Sequence, residues 1–453
     1  MRSSNCRVAI VGAGAAGLAT AIFIRRLNPS ISVTLLDGAA RPGAKILVSG
    51  GSRCNVTNAS VSERDFWGGR STVVRRVLRA FSAAETVEWF DSMGVGLHEE
   101  AHGKLFPDTN RSRDVLDALL KELHASGAVL EAGMRVTDVV RGEDGFLLHT
   151  PQGVLGAGLV VLATGGQSLP KTGSDGAGLA IARQLGHTIV PTTPALAPLM
   201  LDPRSAFGAR VQGVAQDVEL SIWIDDAIAV RLSGALLWTH FGVSGPVVLD
   251  GSRHWLRADL ESRTARVTIN FVPGDTFDDV DTKLTRLSAS RPRTLLQTAV
   301  AELVPSSVAS ASLRHLQLDE ATLLAELTRA DRRRLAHAVV EWPLGVTGSR
   351  GYNYAEATAG GVALEEIDPA TMASRRCKGL FLVGEMLDVD GRIGGFNFQW
   401  AWSSARAAAG GIARHTDPEQ ITHRRTRTGR SRPQQKVRRS GVHRVTQVRP
   451  RGF

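Results

Sequence analysis

The most constraining stretch of this 453-residue chain is its first forty residues. Val8–Val11 is an uninterrupted apolar run of the kind a buried parallel strand carries. Gly12, Gly14 and Gly17 follow in GxGxxG spacing, then an Ala/Leu/Ile-rich helix to about Leu27 that Pro29 and Ser30 break. A second strand, Ile31–Leu36, ends at Asp37, twenty residues beyond Gly17. Glycines alone at this spacing say little. Strand, glycines, helix, strand and terminal acid within about thirty residues specify a dinucleotide-binding unit. Gly12 permits the tight turn, Gly14 lets a pyrophosphate approach the backbone, and Gly17 lets helix and strand pack closely. Ala15 opens the helix whose N-terminal amides face the phosphates, and Asp37 is placed to accept from ribose hydroxyls. Arg2 and Arg7 ahead of the apolar run superficially mimic a secretory leader, but the glycine pattern argues for strand–turn–helix.

Two later segments extend this reading. Leu159–Gly166 is a buried strand running into a small-residue turn, and Gly379–Glu385 is another strand ending in glycine and an acid. Asp388, Asp390 and the Gly391–Trp402 run follow, then an alanine-rich helix to about Ala413. Nucleotide-domain pieces at both ends predict that the middle is inserted. Short alternating stretches at Val218–Trp223, Ala227–Leu232 and Val267–Phe271 predict a small β-domain over 192–274. Leu/Ala/Arg-rich helices are expected over 275–345. The flanking parts, 1–191 and 346–412, form the two pieces of one nucleotide-binding domain, with a basic, disordered tail over 413–453.

The charge bears on that tail. Lys and Arg number 54 against 44 Asp and Glu. From Arg414 to Phe453 there are twelve basic residues and two acidic ones, which is the whole excess of +10, so residues 1–413 carry 42 of each sign. An Arg-rich segment without apolar periodicity favours polyanions or is simply solvated. Aromatic interleaving that would suggest base stacking is absent before Phe453. Three cysteines (Cys6, Cys54, Cys377) without a CxxC exclude a disulfide scaffold and fit a reducing compartment, so a cytoplasmic protein is expected. The stretch Phe146–Pro170, most of the longest uncharged run, holds two prolines and five glycines and does not read as a membrane span.

The segment Arg41–Asn58 (RPGAKILVSGGSRCNVTN) resembles the hallmark of the BaiN/YhiN-type bacterial flavoproteins, FAD-binding oxidoreductases of an aminoacetone oxidase-like group. Leu105–Leu116, Ala163–Gly166 with Pro170–Ser174, Pro194–Leu199, Thr239–Pro246, Ala359–Val362 and Gly384–Trp402 are similar to further family stretches, in order, over residues 5–412. Ser52 stands where the family usually has glycine, and Ala44 where it has a larger residue or glycine.

The resemblance implies an α/β chain: a split Rossmann-like FAD-binding domain, an inserted β-barrel-like domain and a small helical domain. It implies that Gly12, Gly14, Ala15, Gly17 and Asp37 hold the ADP half of FAD, that Val136, in a strand Met134–Val140, gives adenine a backbone contact, and that Ala163, Thr164 and Gly165 line the dinucleotide. Lys45, Ser49 and Asn55 are expected beside the isoalloxazine. Gly384, Glu385 and Asp390 belong to the second flavin motif, and Gly394, Gly395 and Asn397 start a last helix whose amides would face the flavin N1/C2=O edge.

Three residues stand as catalytic candidates. Cys54 is either a proton donor to substrate carbon or a small residue packed under the ring. Arg53, with Lys45, either holds anionic flavin or a substrate carbonyl, or contacts phosphate. His240 either faces the active cleft or is a core residue. His98 and His102 form an HExxH with Glu122 further on, but the surrounding glycines and Pro107 deny it the helix a zinc site requires, so no metal is expected.

The resemblance implies reduction of a C=C bond conjugated to a carbonyl, in uracil of ribosomal RNA or in a 3-oxo steroid-type enone, with NAD(P)H as electron donor. The basic tail tilts the expectation toward RNA. No second glycine fingerprint marks a nicotinamide domain, so the donor would visit the flavin transiently. The alternatives are an O₂-dependent amine oxidase and a flavin-binding, RNA-associated protein without redox turnover.

Overall fold

The computed structural model describes residues 5–204 and 206–415. The basic segment beyond His415, and with it the expected tail, lies outside the described residues. At its centre is a seven-stranded sheet built from β1 (Asn5–Val11), β2 (Val33–Asp37), β3 (Val129–Ala132), β4 (Asp138–Arg141), β5 (Phe146–Thr150), β6 (Gly153–Leu162) and β7 (Leu380–Leu382). Along the sheet the order is β3-β2-β1-β6-β5-β4, and β7 also pairs with β6. β3, β2, β1, β6 and β7 run parallel, with Val8 opposite both Val33 and Leu159, and Val160 opposite Leu380. β5 and β4 are an antiparallel addition at the edge. Val8, Ala9 and Ile10 are fully buried because a strand paired on both sides and covered on both faces has no solvent side.

Helix α1 (Ala15–Leu27) returns along this sheet, burying Leu18, Ala19, Ile22 and Phe23. Its approach is as close as backbone allows: a Cβ at Gly17 would lie 1.8 Å from the Gly12 carbonyl oxygen. α2 (Ala44–Ser52) carries the first family motif and breaks internally, with Ser49 extended and Gly50 and Gly51 at positive φ. One hydrophobic core gathers residues from Val8 to Ala182 together with Val362 to Ile412. The two ends of the sequence thus fold as one body, as the strand pairing of β6 with β7 requires.

Between them the chain leaves and returns through an antiparallel pair, Ile189–Ala195 against Ala357–Val362. The intervening segment forms a second seven-stranded sheet in the order Trp342–Leu344, Ala265–Asn270, Ala215–Ile224, Ala227–Thr239, Gly242–Ser244, Leu199–Leu201, Val346–Ser349. Its two edge strands are consecutive in the chain and joined by Gly345 alone, so the sheet curls until its edges meet in sequence. Helix α3 (Pro246–Leu260) packs Val247, Val248 and Trp255 on this sheet. The helices Phe277–Ser290, Leu296–Val300, Ser306–His315 and Arg329–Val340 share the same core, through Val280, Leu284, Val308 and Leu335. A final helix, α4 (Phe396–His415), runs through the first core with Phe396, Trp400 and Trp402 buried.

Candidate active site

A cavity of about 700 Å³ opens at the carboxyl ends of β1, β2 and β6, where α1 begins. This is the position at which open α/β sheets bind ligands, and the volume is that of a cofactor pocket. Gly12, Gly14, Ala15, Asp37, Val136, Ala163, Thr164 and Gly165 line one part of it. Lys45, Ser49, Arg53, Asn55, Gly384, Glu385, Gly394, Gly395 and Asn397 line the rest.

The three fingerprint glycines differ in what they permit. A Cβ at Gly12, where φ is +103°, would lie 2.5 Å from the Ala163 carbonyl oxygen, and one at Gly17 would strike Gly12 itself. A Cβ at Gly14 would meet nothing within 4 Å, so this position faces open cavity and is where a ligand can approach the backbone. Asp37, half-buried at the end of β2, accepts from the Ala13 amide at 2.6 Å and the Ala39 amide at 2.8 Å. Each oxygen retains a further lone pair for a hydroxyl donor. Two polar atoms of the wall, Asn55 Oδ1 and Ser174 Oγ, are buried without a hydrogen-bond partner. Orphaned polar atoms are rare in folded proteins unless a ligand completes them, and here both belong to the cavity wall. The glycine cradle, Asp37 and these two atoms fit an FAD-sized dinucleotide.

At the other part of the cavity, charged groups meet. Lys45 Nζ donates to Ser168 Oγ and to Glu385, whose other oxygen accepts from Ser168 Oγ at 2.7 Å and from the Thr358 amide at 3.0 Å. Arg53 is ion-paired with Glu100 at 2.7 Å and lies 4.0 Å over the Phe106 ring. Asn397 clasps the preceding loop, accepting from the Gly391 amide at 2.8 Å and donating to its carbonyl at 3.0 Å. That clasp sets the entry of α4, whose first amides follow Gly394 and Gly395 at the cavity wall. Beneath it, Asp390 is buried and paired with Arg253 of α3. Burial pushes the Arg253 guanidinium down to about 9, against the Asp250 carboxylate on the same helix.

Several sequence-derived candidates lie away from the cavity wall. Cys54 is 0% exposed behind the α2 loop, and burial pushes its thiol up to about 12, against a hydrogen bond from Ser49. His240 is exposed at the end of Ala227–Thr239, edge-on to Phe241 at 5.1 Å, outside the cavity. Gly17 and Asp390 serve packing and the Arg253 pair. Val136 lines the cavity, but from the loop that precedes β4: the strand starts at Asp138 because Met134 is still tied to Asp37 through its amide at 2.7 Å. Of the HExxH pair, His98 lies in the strand Leu97–Glu100 and His102 in a short turn with φ +65°, and Glu122 is paired with Arg26. Among the described residues no group of three or more His, Cys, Asp or Glu is arranged to hold a metal, and no helix is long and apolar enough to cross a membrane.

The cavity is also lined by residues that were not singled out as site candidates: Ser174 and Arg392 inside the quoted motifs, Lys104 and Glu356 outside them. Glu356 carried a faint signal, a lone acid at the entry to the apolar strand Ala357–Val362. Nothing in the local sequence says that this entry borders the cavity.

The HI0933-like protein Rossmann domain matches residues 6–411. A 3-dehydro-bile acid delta(4,6)-reductase of Clostridium scindens is 31% identical over 407 residues, 89% of this chain and 99% of that protein. Ribosomal RNA dihydrouridine synthases are similar to the same extent: that of Escherichia coli is 32% identical, covering 88% of this chain and 96% of its own length. That of Haemophilus influenzae is 31% identical, covering 89% and 98%. The glycine fingerprint, the α2 loop and the α4 entry are therefore parts of one full-length pattern, and the chain belongs to the HI0933-like Rossmann family, the BaiN/YhiN-type FAD-binding proteins.

Proposed function

We propose that this protein is an FAD-dependent oxidoreductase that takes electrons from NAD(P)H and saturates a C=C bond conjugated to a carbonyl. The observation that carries this reading is the single cavity running from the fingerprint glycines to the Lys45–Glu385 cluster. Bound FAD would supply two-electron transfer there. The protein's part is to bind, orient and stabilise charge. Gly14 and the first amides of α1 would take the pyrophosphate, and Asp37 the adenosine ribose. Asn55 and Ser174 would gain the partners they lack. Lys45, fixed by Glu385 and Ser168, and the amides opening α4 place positive potential at the far part of the cavity, where negative charge would develop on reduction.

The relatives' names support the reaction class. A delta(4,6)-reductase and a dihydrouridine synthase both saturate a double bond conjugated to a carbonyl, one in a steroid ring and one in a pyrimidine. The Arg-rich segment after His415, outside the described residues, favours RNA as the substrate here, since clustered arginines supply sequence-independent phosphate affinity. The test is direct. Purified protein should be yellow, and anaerobic NADPH or NADH should bleach it; bleaching by neither would overturn the reading. A dihydrouridine map of ribosomal RNA with and without the gene tests the substrate, and an unchanged map would leave the enone class without RNA.

A further inference from the structure

A conjugated C=C bond cannot be saturated by electrons alone; the carbon next to the carbonyl must also gain a proton. We propose that Glu356 is the acid that delivers this proton. The inference rests on the reductase reading above.

Cys54 is behind the wall, and His240 is outside the cavity. Lys45 is committed to Glu385 and Ser168, Arg53 to Glu100, and Arg135 to Asp175 at 2.6 Å. Glu385 has both oxygens engaged. Glu356 differs. It lines the cavity, its side chain is open to it, and among the described residues its carboxyl has no hydrogen-bond or ion-pair partner.

Its backbone, by contrast, is pinned. The Glu356 amide donates to the Leu196 carbonyl at 3.2 Å. Two residues on, the Thr358 amide holds Glu385. A free carboxyl on a fixed backbone is what proton delivery to a stated atom requires.

Charged groups approach it from three elements: Lys45 on α2, Lys104 on the strand Lys104–Pro107, and Asp250 on α3. Asp250 is itself fixed, accepting from the Ile393 amide at 2.6 Å. Withdrawal from bulk water and the Asp250 carboxylate push Glu356 up from the usual glutamate range, against the two lysines. Asp250 is pushed up by burial as well. The shift is in the direction that lets this acid hold its proton to higher pH than an ordinary glutamate, as a proton donor needs.

Bound FAD, once reduced by the nicotinamide donor, would supply two electrons and one hydrogen to the substrate β-carbon, leaving an enolate whose negative charge rests on the carbonyl oxygen. As the enolate reverts to the carbonyl, a C–H bond forms at the α-carbon and the O–H bond of Glu356 breaks. The carboxylate recovers its proton from water.

The test uses E356Q, E356D and K104M as FAD holoproteins, with NADPH and 2-cyclohexenone as probes. In E356Q, bleaching by NADPH should stay within twofold of wild type, while reoxidation by the enone should slow at least 100-fold. E356D should recover at least tenfold of that loss. Wild-type reoxidation at E356Q, or a loss confined to K104M, would overturn the inference. A second readout needs no turnover: carboxyl ¹³C titration of glutamate-labelled protein should show one resonance, missing in E356Q, that titrates above the ordinary glutamate range and moves down in D250N. An ordinary midpoint would overturn the assignment of Glu356. A wild-type flavin that neither nicotinamide bleaches would instead overturn the reductase reading, which separates the two failures.

Discussion

Lys45 and Glu385 lie 340 residues apart in sequence and form an ion pair at the cavity wall, with Ser168 bridging them. The pair joins α2, from the first motif, to the segment that follows β7, from the last. It is therefore a joint between the two halves of the split domain as well as a charged feature of the site. K45M should weaken FAD binding at least tenfold, about 1.4 kcal/mol, because Glu385 is left an uncompensated, partly buried carboxylate. K45M/E385Q should recover part of that loss. Flavin fluorescence quenching on titration of apoprotein measures both; additive losses would show that the pair is not coupled.

The fingerprint glycines should separate folding from binding. G14A places a methyl in open cavity, so the apoprotein should keep its Tm within a few degrees while FAD affinity falls at least tenfold. G17A puts a Cβ against the Gly12 carbonyl, so the apoprotein itself should lose stability, by about 2 kcal/mol or more. Apoprotein melting and FAD titration of the two variants, side by side, check the distinction.

Ser52 sits at φ +67° in the exposed part of the α2 loop, a conformation glycine takes without strain. S52G should stabilise the apoprotein by about 0.5–1 kcal/mol. Urea unfolding with an unchanged m-value is the measurement, and a destabilised variant would show that the Ser52 hydroxyl contributes more than the strain costs.

Cys54 should behave as a packing residue. With the thiol at about 12 and no exposure, Cys54 of the native protein at pH 8 should stay unreacted toward a thiol reagent until the protein unfolds, read by peptide mapping. C54A should lower stability by about 1–2 kcal/mol and leave the pH profile of flavin reoxidation in place. A changed profile would return Cys54 to the chemistry.

Acid stability should depend on a buried cluster far from the cavity wall. His187 Nδ1 donates to Glu366 at 2.9 Å, and its Nε2 accepts from Ser374 Oγ at 2.8 Å. The Ser374 oxygen in turn accepts from the Arg376 and Cys377 amides, so this Ser–His–Glu chain is a clamp rather than a nucleophile. Burial alone would raise the Glu366 carboxyl, but the Thr188 amide, Arg376, the Thr188 hydroxyl and His187 together hold it at about 2. A carboxyl lowered by folding stabilises fully above its unfolded value near ~4.3 and loses that contribution as pH falls toward about 2. E366Q should therefore cost on the order of 2–3 kcal/mol at pH 7 and flatten the acid limb of stability between pH ~5 and ~2. Denaturation midpoints across that range test it.

The glycine fingerprint, the parallel strands and the terminal Asp37 were legible because each is a local rule. A buried strand must be apolar throughout, and only glycine admits the Gly12–Gly17 approach. The pairing of β6 with β7 was foreshadowed by two similar apolar runs, and with it the split of the domain around an insert. What the sequence alone did not determine is which side of a loop each side chain takes. Cys54, at φ +62°, turns away from a cavity that its neighbours Arg53 and Asn55 line. Asp390 turns inward to Arg253, and Glu356 comes to the cavity through the hydrogen bond of its amide to the Leu196 carbonyl, a partner 160 residues away. Side-chain direction in a loop follows from backbone dihedrals that long-range hydrogen bonds impose. Those bonds exist only once the two ends of the chain and the insert have packed together.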